Sequence, residues 1–208
     1  HIGEFIEEML ELGHEFLGIY ETELDIAKNM AEKYDVPLFS KGEELLGLKP
    51  DILGTSAVNN QKIDVIELCN REGIHVMADK PIVTSRKGYE RLEKIINEGR
   101  IQVGMMLTER FNPPIYALRK MIQEGKLGRI VSFTIMKPHK LREKTRAPWH
   151  FSKEENGGIV IDLLIHDLDL LRWFTGSEMV SCEGYIRKTG YPQYETFYDS
   201  VNAIVKME

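Results

Sequence analysis

The feature that most constrains this chain is a repeated change of hydrophobic period over its first half. Ile2, Phe5, Ile6, Met9 and Leu10 recur at helical spacing, EFLGIY (residues 15–20) reads as a short strand, and Leu24 to Tyr34 returns to helical spacing. The cycle then repeats. Lys49-Pro50-Asp51 introduces the strand ILGTS, Asn59 or Asn60 caps a helix running to about Glu72, and Gly73 ends it before the strand IHVMA. Ser85 opens another helix, Gly99 stops it, and IQVGMML makes a further strand. Strands alternating with helices over short connections imply parallel pairing with right-handed crossovers, so the expected class is α/β with a doubly wound parallel sheet over residues 1–108.

Beyond Arg110 the texture changes. Pro114 to Glu124 reads as a helix ended by Gly125, GRIVSFTIMK as a long alternating strand, and Pro138 to Asn156 as a polar, basic stretch without period. GGIVIDLLIHDLDLLRW follows as a helix, then two strand-like runs, Val180 to Lys188 and Ser200 to Met207. This pattern predicts a second α/β domain over residues 109–208 with a mostly antiparallel sheet. The chain opens at His1 already in helical period and closes on VNAIVKME still alternating, which reads as an internal piece of a longer protein.

Composition narrows the function classes. A net charge of -6 without a basic block argues against nucleic-acid or anionic-membrane partners. No apolar run approaches the ~20 residues that span a bilayer. The 2 cysteines, Cys69 and Cys182, offer neither a disulfide framework nor metal-ligand spacing, and a cytoplasmic compartment is the expectation.

In a doubly wound sheet, ligands lie beyond the carboxyl ends of the strands, which directs attention to the residues there. Glu21 follows the strand ending at Tyr20, where a carboxylate can accept both ribose hydroxyls of a dinucleotide; a solvated surface glutamate is the alternative. His1-Ile2-Gly3 fits the last three positions of G-x-G-x-x-G, weak evidence by itself. TSAVNN (Thr55 to Asn60) is a small, polar turn into a helix, readable as an ordinary cap. Asp79-Lys80-Pro81 aims an ammonium from a strand end, because proline restricts the residue before it; a surface lysine is the bland reading.

The combination resembles the Gfo/Idh/MocA family of NAD(P)-dependent sugar and inositol dehydrogenases. HVMADKPI is similar to its H-V-x-x-E-K-P motif and LTERFNP to its Arg-Phe-x-Pro junction; EGKLGRIV follows in family order. GGIVIDLLIHDLDLLRWFTG is similar to its G-G-x-x-x-D-x-x-x-H-x-x-D helix. The resemblance implies a Rossmann domain lacking its first strand and most of its glycine loop, followed by a substrate and oligomerisation domain lacking its carboxyl-terminal part. It assigns Ile2, Gly3, Glu21, Ser56, Ala57, Asn59, Asp79, Lys80 and Arg110 to cofactor binding, and Lys80, Asp162 and His166 to catalysis. Two departures stand out: Asp79 replaces the usual glutamate, and Lys62 stands where many members have histidine.

The implied reaction moves a hydride between nicotinamide and a hydroxyl carbon of a sugar, inositol or related polyol. His166 would take the hydroxyl proton, Lys80 would polarise the oxygen, and Asp162 would contact a neighbouring hydroxyl or the imidazole. Trp149 and His150 are candidates for the substrate wall, a packed core tryptophan being the alternative; Asp169 reads as structural, bonded to backbone or to an arginine. Glu21 should repel a 2′-phosphate, so NAD is expected over NADP. The family also implies a homo-oligomer through the second-domain sheet. An NAD-dependent glycosidase on the same scaffold and a non-catalytic dinucleotide-binding regulator are the competing readings; no metal is expected.

Overall fold

A computed structural model describes residues 2–208. They form two compact units by chain contacts. The first comprises the chain through Ala57, Gln61–Asp79 and Lys87–Met106; the second comprises Val58–Asn60, Lys80–Arg86 and Leu107–Glu208.

In the first unit the elements run α1 (Ile2–Glu11), β1 (Ile19–Tyr20), α2 (Leu24–Tyr34), β2 (Leu38–Phe39), α3 (Gly42–Gly47), β3 (Ile52–Thr55), α4 (Lys62–Glu72), β4 (His75–Asp79), α5 (Arg86–Glu98) and β5 (Val103–Met106). All pairings are parallel: β1 with β2, and β3-β4-β5 in that order. The expected α/β class with a parallel Rossmann-type sheet is therefore present. Helix α4 ends because Gly73 takes the left-handed conformation (φ 75°) and donates its N–H to the Cys69 carbonyl. Ile63, Ile66 and Cys69 of that helix are buried, as are Val76 and Ala78 of β4, Ile95 of α5 and Ile101. Each buried isoleucine or valine among them contributes ~1.5–3 kcal/mol of transfer free energy. Gly54 admits α1 against β3: a β-carbon there would sit 2.9 Å from Ile2 Cδ1 and 3.1 Å from the Phe5 ring.

The strand expected over residues 15–20 is reduced to Ile19–Tyr20. In the β1–β2 register the position opposite Gly18 is Pro37, which has no N–H to extend the ladder backwards. Gly18 itself lies close to that strand: a β-carbon on it would sit 2.5 Å from the Phe39 ring and 2.8 Å from the Pro37 carbonyl oxygen.

In the second unit the main elements are α6 (Pro113–Gln123), α7 (Lys153–Asn156), α8 (Ile165–Thr175), β6 (Met179–Arg187) and β7 (Ser200–Met207). Short 3₁₀ turns occupy Thr108–Phe111, Glu143–Thr145 and Pro148–Phe151. Strands β6 and β7 pair antiparallel from Met179↔Met207 to Arg187↔Ser200, as the alternation predicts. The core gathers Phe151, Leu170 and Phe174, with Phe151 stacked on Tyr194 at 3.9 Å between ring centroids.

The long strand expected at GRIVSFTIMK does not form a ladder. The alternation survives in burial over Ser132–Lys137 instead: Phe133, Ile135 and Lys137 are half-buried while Ser132, Thr134 and Met136 are exposed. Phe133 stacks on Phe174 of α8 at 5.4 Å, so the segment is held by its side chains on a helix rather than by backbone partners. Period two reports a two-sided environment, and a ladder is only one way of making one.

Candidate active site

Strand β4 delivers Asp79, and Lys80 follows through a cis bond to the fully buried Pro81. The lysine lies in the second unit with the segment around Asp162. Its Nζ donates to the Asp162 carboxylate Oδ1 at 2.7 Å and to the Asp162 main-chain oxygen at 2.6 Å. Both side chains are largely shielded, at 11% and 24% exposure.

The opening of the expected single α-helix is a π-turn, Val160–Leu164, followed by α8. Gly157 and Gly158 enter with positive φ (94° and 79°), and the wider turn loosens the carbonyl ladder where Lys80 takes the Asp162 oxygen. A π-turn at a cluster of polar groups is a common location for one. Gly157 has no room for a side chain; a β-carbon would meet Ile161 Cγ2 at 3.0 Å and Thr84 Cγ2 at 3.2 Å.

Electrostatics divide the site into charged and neutral members. Burial pushes the Asp162 carboxyl up, but the Lys80 charge and hydrogen bond outweigh it, and the group lies below its ordinary value of 3.8. His166 is buried, its Nδ1 without a hydrogen-bond partner. Burial, then the charges of Lys80 and Lys137, hold it below the ordinary 6.5. His150 is lowered too, by burial and then Arg146, with Asp162 pulling the other way. Its ring stacks on Trp149 at 3.7 Å. The result is one ammonium–carboxylate pair with two neutral imidazoles in the same unit, a combination that can bind a hydroxyl and accept its proton near neutrality.

Lys80 is the shared neighbour within the second unit: its charge acts on Asp162, His166 and His150, and Asp162 and His150 also act on each other. His150, Asn156 and Asp162 line a groove of about 2190 Å³ together with Lys137, Arg146 and Tyr191. The Asp162 carboxylate accepts from Lys80, where the sequence pointed to a neighbouring hydroxyl or the imidazole. Asn59 also belongs to this unit and donates from Nδ2 to the Asn156 carbonyl at 3.0 Å. Arg110, expected at the cofactor, has its guanidinium on Asp169: Nε donates to Oδ2 at 2.6 Å, Nη2 donates to Oδ1, and Trp173 lies 5.8 Å away. Asp169 is the structural anchor its position suggested, with arginine as its partner.

The first unit holds the other expected cofactor residues. Gly3 lies in α1, and Ile2 of the same helix packs against Gly54. Glu21 follows β1, its Oε1 accepting the Glu23 N–H at 3.0 Å and the Thr22 hydroxyl at 3.2 Å. Ser56 and Ala57 follow β3, where the Ala57 N–H donates to Thr55 Oγ1 at 3.4 Å. Asp79 carries a buried Oδ1 with no partner. Lys62, the departure from histidine, is 1% exposed and donates to the Asp79 carbonyl at 2.9 Å.

Sequence reasoning missed Asn156, and it missed Lys137, which pairs with Glu109 at 3.2 Å and Asp167 at 3.3 Å beside His166. For Asn156 a usable signal existed: asparagine immediately before two glycines favours a side-chain-capped turn. Among the described residues, no cluster of three or more histidine, cysteine, aspartate or glutamate side chains could hold a metal, and no helix is long and apolar enough to cross a membrane.

Comparison with known proteins adds the remaining findings. The model described as "Oxidoreductase family, NAD-binding Rossmann fold" matches residues 2–106, and the GFO/IDH/MocA C-terminal domain model matches residues 115–208. Inositol 2-dehydrogenase of Rhizobium meliloti (strain 1021) is 30% identical over 118 residues, covering 57% of this chain and 34% of that protein. The scyllo-inositol 2-dehydrogenase (NAD(+)) of Bacillus subtilis (strain 168) is 30% identical over 147 residues, covering 70% of this chain and 41% of that protein. The chain therefore spans well under half the length of these curated relatives. The crystal structure of myo-inositol 2-dehydrogenase from Lactobacillus plantarum shares the fold, with a TM-score of 0.80 at 19% identity over 94% of this chain and 59% of that one.

Proposed function

Because the chain belongs to the GFO/IDH/MocA oxidoreductase family, we propose that the whole protein is an NAD-dependent dehydrogenase acting on a hydroxyl carbon of an inositol or related sugar polyol. The observation that carries the reading is the Lys80–Asp162 pair with a buried, unpartnered and neutral-leaning imidazole, His166, one turn further along the same segment. Inositol dehydrogenases among the relatives support the substrate class.

The residues present fit a dinucleotide. Glu21 is held at the end of β1 by bonds to one carboxylate oxygen, which leaves its other oxygen outside those bonds, and Asp79 Oδ1 is a buried acceptor lacking a donor at the end of β4. Glu21, Ser56, Ala57 and Asp79 would hold the cofactor, with NAD preferred because the Glu21 carboxylate opposes a 2′-phosphate. Bound NAD would supply the nicotinamide ring that takes the hydride. Lys80, its ammonium directed by the two hydrogen bonds it donates to Asp162, holds the substrate oxygen and favours its alkoxide character. His166 accepts the hydroxyl proton; a neutral imidazole can do so only because burial and the neighbouring cations keep it unprotonated. Asp162 keeps the ammonium aimed. His150 and Trp149, stacked together, offer a flat wall for a sugar ring. A cytoplasmic location accords with free Cys69 and Cys182. Exposed Val180, Tyr185, Ile186 and Ile204 on the β6–β7 hairpin support a subunit interface through this sheet.

The test is NADH absorbance with the whole protein and a panel of myo-inositol, scyllo-inositol and aldoses. Steady NADH accumulation with at least one polyol, lost in Lys80→Met while NAD affinity is kept, is the expected result. Absence of NADH with every polyol, or unchanged turnover in Lys80→Met, overturns the reading. A fixed trace of NADH that is recycled while a glycoside is cleaved would favour the glycosidase instead.

A further inference from the structure

We infer that Lys62 is a positioning residue for Lys80, its ammonium fixing the peptide unit from which the catalytic lysine departs. The inference deepens the proposed dehydrogenase and rests on it in treating Lys80 as catalytic. Two local preferences oppose a lysine at position 62. It is the first residue of α4, where the helix dipole disfavours a cation, and it is 1% exposed, where an ammonium gives up its hydration. What opposes both costs is acceptor contact, and its Nζ donates to the Asp79 main-chain oxygen at 2.9 Å.

The register of the sheet explains why that oxygen takes a side-chain donor. The His75 N–H donates to the Asp51 carbonyl and the Val76 N–H to the Gln102 carbonyl, so successive residues of β4 turn alternately towards β3 and towards β5. By this alternation Asp79 turns towards β3. With Ile52 opposite His75 and Thr55 opposite Ala78, the parallel ladder would next bring the Ala57 N–H to the Asp79 oxygen. Strand β3 ends at Thr55, however, and the Ala57 N–H donates to Thr55 Oγ1 at 3.4 Å. Lys62 supplies the rung that the end of β3 leaves out. The consequence passes to Lys80 through one covalent bond. A peptide unit is planar, so a bond at the Asp79 oxygen sets the plane that contains the Lys80 nitrogen and Cα. At the other end of the same residue, Nζ donates to Asp162 at 2.7 and 2.6 Å. The catalytic lysine is held at its root by a lysine and at its tip by an aspartate.

The experiment, on the whole protein, follows the Lys80 ammonium by ¹H–¹⁵N correlation NMR, assigned by its loss in Lys80→Met, with kcat, KM and NAD affinity measured alongside. A shielded, twice-bonded ammonium gives a sharp signal, which Lys62→Met, near-isosteric but without a donor, should abolish. In that variant kcat should fall at least ~10-fold, with KM and NAD affinity changed less. In the Lys80→Met background, Lys62→Met should lower kcat no further, because a residue that acts through Lys80 has nothing left to position. Lys62→Gln keeps a neutral donor and should fall between wild type and Lys62→Met; if Lys62→Met does not fold, the same readings are taken on Lys62→Gln. A wild-type protein without the ammonium signal, a signal unmoved in the variant, or an equal loss of kcat in both backgrounds overturns the inference. Failure of both Lys62 variants to fold also overturns it, because the residue would then be a fold anchor. The ammonium signal requires no turnover: a wild-type protein without dehydrogenase activity sinks the proposed function, whereas the signal still decides whether Lys62 holds Lys80 in place.

Discussion

Lys80 is joined to Asp162 twice, once at the carboxylate and once at the main-chain oxygen, so the aspartate supplies a counter-charge and a fixed backbone acceptor from a single residue. Removing the cation should therefore have two separable effects. Lys80→Met leaves a shielded carboxylate unpaired, and unfolding free energy should fall by about 3 kcal/mol. Turnover should fall by at least ~10²-fold, since the group that polarises the oxygen is gone. Urea unfolding and steady-state kinetics on the same preparation check both; a stable but inactive variant would show that the pair serves chemistry alone.

Acid stability should decline in two windows. His150 and His166 have folded pKa values depressed below the ordinary 6.5, so the unfolded state binds protons first. Their contribution to stability is complete above about 6.5 and is lost as pH falls towards the depressed values. Asp162 adds a second loss below its ordinary 3.8. Thermal melting of the whole protein across this range should show a decline starting below pH 6.5 that is shallower in His166→Phe. A decline of equal steepness in wild type and variant would count against a neutral buried imidazole.

Arg110 and Asp169 should be coupled energetically. The fork of two hydrogen bonds, with Trp173 under the guanidinium, is matched by arginine and not by lysine. Arg110→Lys is expected to cost about 1–2 kcal/mol, and a double-mutant cycle with Asp169→Asn should give a coupling of at least ~1 kcal/mol. Additive losses in urea unfolding would reduce the pair to an incidental surface contact.

Cofactor choice should respond to Glu21 alone. Glu21→Ser removes the charge that opposes a 2′-phosphate, and the NADP-to-NAD ratio of dissociation constants should drop about tenfold, equivalent to ~1.4 kcal/mol. Tighter binding of NADP than NAD by the unaltered protein would already contradict the assignment.

The sequence made some of this architecture legible for identifiable reasons. Gly73, Gly99, Gly125 and Gly176 all adopt positive φ at the ends of helices, and glycine after an apolar-periodic run is a strong stop signal. The β6–β7 pairing followed from plain alternation. Side-chain anchoring at Phe133 was invisible, because period two cannot distinguish a ladder from a segment lying on a helix. The π-turn at Val160–Leu164 had no signature either; apolar residues around Asp162 and His166 suit an α-helix equally well, and only the Lys80 contact, 82 positions away, makes the wider turn intelligible. The same distance in sequence hid the link from Asn59 to Asn156. Local pattern reads elements; polar networks between distant segments have no period to read.

The main-chain bond from Lys80 to position 162 has a consequence for redesign. A backbone oxygen survives every substitution of the residue that carries it, so asparagine, serine or even alanine in place of Asp162 would leave one tether on the ammonium. Position 162 can accordingly lose its carboxylate while the cation keeps its main-chain anchor. A variant library confined to that codon would vary the charge and polarity beside Lys80 while leaving the main-chain tether in place.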